Sequence, residues 1–143
     1  MTDPDEQPAL RNISPAASIS NRCVQILSSY TGRGPTKAWT SIDQDLVSVV
    51  LRETLTKGER SLVAGGQADL VLSMRKAYQM TMRDELVAAV EEVTGRRVIA
   101  FLSDNHLDPD VAVESFVLEP ASEAGRDERE TEDQTDAGEA ATG

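Results

Sequence analysis

Residues 69–118 read DLVLSMRKAYQMTMRDELVAAVEEVTGRRVIAFLSDNHLDPDVAVESFVL, and a change of period inside this stretch decides the fold. Val71, Met74, Tyr78, Met82, Leu86, Val90 and Val93 recur every three or four residues, which lays one apolar stripe along a helix over 69–94. Gly95 supplies the residue that ends such a helix. Beyond it the pattern becomes dense and β-branched, so 98–102 and 111–118 read as strands. The polar connection 104–110 contains Pro109, which has no amide to offer a ladder.

The preceding half of the chain runs through the same rhythm. Ser14 followed by Pro15 reads as an N-cap with proline at the first helical position. Ile19, Cys23, Ile26, Leu27 and Tyr30 then form a helical stripe that Gly32 closes. Two strand-type runs follow at 36–42 and 46–51, joined by the short polar Asp43-Gln44-Asp45 as a hairpin. In the first run, Trp39 points to the side opposite Ala38, Thr40 and Ile42. Thr56-Lys57-Gly58-Glu59 fits a capping box and opens a short helix that Gly65-Gly66 should stop. The expected fold is α+β, a two-layer αββαββ arrangement with a four-stranded antiparallel sheet and amphipathic helices on one face. Its other face must meet solvent or a partner.

Charge divides the chain into parts. The net charge is −11, and residues 121–143 alone carry eight acids against Arg126 and Arg129. With Asp3, Asp5, Glu6 and Glu119 also set aside, 7–118 is left at −1, so the acidity belongs to the ends. The expected organisation is a disordered acidic N-terminus over 1–13, one α+β domain over 14–119, and a disordered acidic tail over 120–143. No stretch approaches the roughly 18 apolar residues of a membrane span. The start is acidic and proline-bearing, unlike a secretion signal. The lone Cys23 fits a reducing compartment, so the expected location is cytoplasmic, without membrane insertion.

Candidate chemistry is sparse. Gly32, Arg33, Gly34 and Lys37 could bind an anion, because glycines admit close backbone approach and a guanidinium matches phosphate or carboxylate. The same turn also reads as a helix C-cap leading into a rigid connection at Pro35, and that structural reading is preferred. Asp104, His106, Asp108 and Asp110 alternate as metal ligands might in a loop, but lack the glycine and glutamate of a calcium loop and match no closed zinc set, so no metal is expected. Arg75, Gln79 and Arg83 share a helix face with Lys76 alongside, read as solvated rather than as a nucleic-acid patch. A near-neutral domain with an acidic tail makes nucleic acid an unfavourable partner. Cys23 sits on an apolar stripe away from the single histidine, His106, and no glycine-flanked serine, Walker loop or dinucleotide fingerprint is present. The expectation is a non-enzyme with no cofactor.

Several stretches taken together carry a resemblance. They are Tyr30-Thr31-Gly32-Arg33-Gly34-Pro35, LRETLTKGE at 51–59, LSMRKAY at 72–78, and ELVAAVEEVTGRRVIAFL at 85–102, which continues through SDNH to FVLE at 116–119. In order and spacing they resemble the MpsC-like family, small bacterial proteins named for a sodium-translocating, membrane-potential-generating system, across about 15–119. The resemblance implies an accessory or regulatory role beside a membrane cation-translocating complex whose transporter subunits would be partners, and it carries over no active-site residues. A homodimer through the sheet is the expected assembly. The alternative is a small anionic-ligand or RNA sensor using the Gly32–Pro35 turn.

Overall fold

The structure, a computed structural model, describes residues 13–121. They form α1 (Pro15–Thr31), β1 (Lys37–Asp43), β2 (Leu46–Arg52), α2 (Lys57–Ala64), α3 (Ala68–Thr94), β3 (Val98–His106) and β4 (Val111–Leu118). The disorder expected of 1–13 and 120–143 concerns residues that, apart from 13, 120 and 121, lie outside this range.

Local signals place the helix ends. The Ser14 Oγ accepts from the Ala17 amide at 3.1 Å, satisfying one of the free N–H groups of the first turn of α1. Gly32 follows the helix at φ 76°, a left-handed conformation that glycine adopts without a Cβ penalty. At α2 the capping box is complete: Thr56 Oγ1 accepts from the Glu59 amide at 3.1 Å, and Glu59 Oε1 accepts from the Thr56 amide at 2.9 Å.

The sheet is antiparallel throughout, in the order β1-β2-β4-β3. The chain is therefore two hairpins laid side by side, with β2 and β4 meeting at the centre through pairs such as Val50 with Val113. On the inner face Val47, Val49 and Leu51 of β2 join Ala112, Phe116 and Leu118 of β4. Ile19, Cys23 and Leu27 from α1 and Met82, Leu86 and Val90 from α3 close the core against them. Phe101 of β3 tilts onto Phe116 with ring centroids 5.2 Å apart. Each of the larger buried side chains stabilises the fold by about 1.5–3 kcal/mol.

The second hairpin differs from expectation. β3 runs on through Ser103, Asp104, Asn105 and His106, which pair with Glu114, Val113, Ala112 and Val111. Polar residues are tolerated there because alternate positions face outward, so the connection contracts to 107–110. The first hairpin tightens similarly, turning at Gln44-Asp45 with Gln44 at φ 53°.

No helix among the described residues covers the outer face. Trp39, Leu46, Val50, Leu102 and Val113 lie on it, with Ser48 and Ser115 between them. Trp39 is 46% exposed and Leu102 60%, both high for large apolar side chains. The Arg52 guanidinium stands 5.4 Å from the centre of the Trp39 ring.

Candidate functional site: a polar cavity beneath the long helix

α3 turns a polar pair toward the interior. Arg75 and Gln79, each 7% exposed, lie in the buried row Val71, Arg75, Gln79, Met82, Leu86. The solvated face expected for Arg75, Gln79 and Arg83 is thus corrected for the first two. A charge at such a depth is tolerated when it is fully paired.

Arg75 is fully paired. Its Nε donates to Glu59 Oε2 at 2.8 Å and its Nη2 to Glu59 Oε1 at 2.9 Å, a fork on a carboxylate that is itself 6% exposed. Nη2 also donates to the Thr54 carbonyl at 2.7 Å, while Nη1 donates to Thr54 Oγ1 at 2.8 Å and to Asn105 Oδ1 at 3.4 Å. All five guanidinium N–H groups are engaged. The Thr54 hydroxyl in turn donates to Asp110 Oδ1 at 3.0 Å, and Asp110 Oδ2 accepts from the Leu55 amide at 2.9 Å. One network therefore fastens the start of β4, the β2–α2 connection, the N-terminus of α2 and the middle of α3. Burial pushes the Glu59 carboxyl up, but the bonds and charge of Arg75 and the Thr56 cap outweigh it and leave the value below the ordinary range.

Beside this network lies a cavity of about 170 Å³ between the end of α1, α3 and the β3–β4 end of the sheet. Leu27, Met74 and Met82 form its apolar wall, Gln79 and Asn105 contribute amides, and Glu59 and Glu114 are its carboxylates. Glu114 points inward because β4 alternates and its phase is that of Ala112, Phe116 and Leu118. It is 0% exposed, and among the described residues neither carboxyl oxygen has a hydrogen-bond partner. Burial raises its pKa to about 7. Ser103 and Gln79 lie beside it, outside good hydrogen-bond geometry, and with Arg75 they draw the value back part of the way.

The residues singled out in the sequence are arranged otherwise. The Gly32 amide donates to the Ser28 carbonyl at 2.9 Å, closing α1. Arg33 Nη1 donates to the Leu55 carbonyl at 2.9 Å, tying the turn to the β2–α2 connection. A Cβ on Gly34 would stand 3.2 Å from Val24 Cγ1, so the turn lies close against α1. Lys37 is exposed at the start of β1, paired across the sheet with Arg52. Asp110 is held by Thr54 and Leu55, and His106 Nδ1 lies 2.8 Å from the Pro109 carbonyl. Among the described residues no group of three or more His, Cys, Asp or Glu side chains could hold a metal ion. Burial in the core, with the charge of Glu114 adding to it and Arg22 opposing, pushes the Cys23 thiol up to about 12 and keeps it protonated.

Fold and site together define a two-layer α+β domain with an ionic network and a polar cavity under one helix, and with an outer sheet face that no described helix covers. The family model described as "Na+-translocating membrane potential-generating system (MpsC)" matches residues 14–120, and the chain belongs to that family. No curated protein and no solved structure matches the chain. No helix among the described residues is long and apolar enough to cross a membrane.

Proposed function

We propose that this chain is a non-enzymatic cytoplasmic accessory or regulatory protein of a membrane cation-translocating, membrane-potential-generating system, working as a homodimer joined through its outer sheet face. Family membership supports the association with the transport system. The observation that carries the assembly is the uncovered face, where Trp39, Leu46, Val50, Leu102 and Val113 form an apolar surface of the kind that marks an interface.

The charges at the ends of this face favour a second copy as its occupant. Lys37 and Arg52 stand together at one end of the β1–β2 hairpin, and Asp43 stands at the other end on the same side. Stacking two sheets with β1 and β2 running opposite ways brings each basic end over its partner's Asp43, a self-complementary contact of the two-fold type. Transporter subunits are reached through this dimer.

The test is cellular. Removing the gene from its native host should lower the sodium-dependent membrane potential read by a voltage-sensitive dye, and the wild-type gene should restore it. A Leu102→Glu/Val113→Glu variant that folds should fail to restore it. An unchanged potential on deletion counts against the role, and full rescue by the double variant counts against the sheet face.

A further inference from the structure

We propose that the cavity beneath α3 binds a small primary ammonium compound, with Glu114 as its counter-ion and Leu27, Met74 and Met82 holding a short apolar body. This goes beyond the accessory role and does not depend on it.

Arg75 has no N–H left for an anionic ligand, since Glu59, Thr54 and Asn105 take all five. Both oxygens of Glu59 are likewise taken by Arg75 and the Thr56 amide. Glu114 remains, fully buried, with Ser103 and Gln79 beside it but neither carboxyl oxygen in a formed hydrogen bond among the described residues. A buried carboxyl without partners carries a desolvation cost that a positively charged N–H donor removes directly. Gln79 and Asn105 add side-chain carbonyls that can accept the other protons of an –NH3+ group.

Size and shape narrow the class further. About 170 Å³ exceeds one water several-fold and resembles the roughly 150 Å³ known to admit a benzene-sized molecule. A divalent ion would need several oxygen ligands, whereas the described residues gather no group of three acidic or imidazole side chains. Flexible methionines suit a small aliphatic body of variable shape. Tyr78 lines the cavity yet is 39% exposed, which places an opening at the outer side of α3.

The experiment uses the full chain and n-butylammonium chloride as probe, followed by calorimetry and by backbone amide NMR shifts, at mildly alkaline pH. Controls are n-butanol and sodium chloride at matched ionic strength. The expected result is binding of butylammonium that Glu114→Gln weakens about tenfold, the loss appropriate to one charged hydrogen bond. Amide shifts should cluster at 74–82 and 112–114. The proposal is overturned if n-butanol or sodium chloride reproduces the effect, if Glu114→Gln binds as well as wild type, or if butylammonium gives neither heat nor shifts. Should Glu114→Gln fail to fold, the shift map of the wild type decides: shifts away from the cavity overturn the assignment.

Discussion

Arg75 and Glu59 are joined by two parallel N–H···O bonds of 2.8 and 2.9 Å, both side chains lying more than nine-tenths buried. This pair locks α2 to α3, and the Thr54 and Asp110 bonds extend the lock to both hairpins. Removing one partner leaves the other as an uncompensated buried charge. Arg75→Met should therefore destabilise the domain by about 3–5 kcal/mol in denaturant titrations. Adding Glu59→Gln should recover part of that loss, because no buried charge then stands alone. Equal stability of Arg75→Met and wild type would contradict the pairing.

Glu114 gives a pH dependence of the opposite sign to the usual carboxylate. Its value rises from 4.5 in the unfolded chain to about 7 in the fold through burial. Between those values the native state keeps a proton that the unfolded state releases, so stability falls as pH rises through this window and levels off above it. The difference amounts to about 3 kcal/mol. Glu114→Gln cannot ionise, so its stability relative to wild type should grow by about that amount from the acid to the alkaline side of the window. The lowered value of Glu59 acts elsewhere: its contribution is present above the ordinary carboxylate range and is lost as pH falls below it. Parallel pH profiles for Glu114→Gln and wild type would contradict the burial of an ionisable Glu114.

The Gly32–Pro35 turn should respond as a structural element. A Cβ on Gly34 meets Val24 Cγ1 at 3.2 Å and Ser28 Cβ at 3.5 Å, so Gly34→Ala should cost about 1 kcal/mol by crowding α1. Arg33→Ala removes the bond to the Leu55 carbonyl and should cost about 0.5–1.5 kcal/mol. Thermal unfolding reads both. A phosphate-bearing metabolite that raised the melting temperature of wild type but not of Arg33→Ala would reverse this account of the turn and support an anion sensor.

These expectations show where residue patterns speak clearly. Ser14-Pro15, Thr56 with Glu59, and the glycines at 32 and 95 announce the helix ends because capping is local chemistry within a few residues. The two hairpins and their antiparallel sense follow equally from short polar turns. The cavity is harder to read, because its residues come together only after the hairpins are laid side by side. On α3 the apolar stripe through Met74 and Tyr78 and the buried row through Arg75 and Gln79 differ by one residue, so apolar identity alone points slightly the wrong way round the helix. Glu114 left a trace: its phase matches Ala112, Phe116 and Leu118, placing an acid on the inward side of a strand. The partnering of Arg75 with Glu59, and the absence of a formed hydrogen bond to Glu114 among the described residues, depend on contacts that no local pattern encodes.

The outer sheet face is the centre of this account, and the mass of the protein in solution tests it most directly. Light scattering of the full chain at micromolar concentration should report twice 15.5 kDa. Leu102→Glu/Val113→Glu should halve that mass while keeping the wild-type circular dichroism spectrum, because charges on a desolvated apolar face oppose association. A mass of 15.5 kDa for the wild-type chain at the same concentration would contradict it.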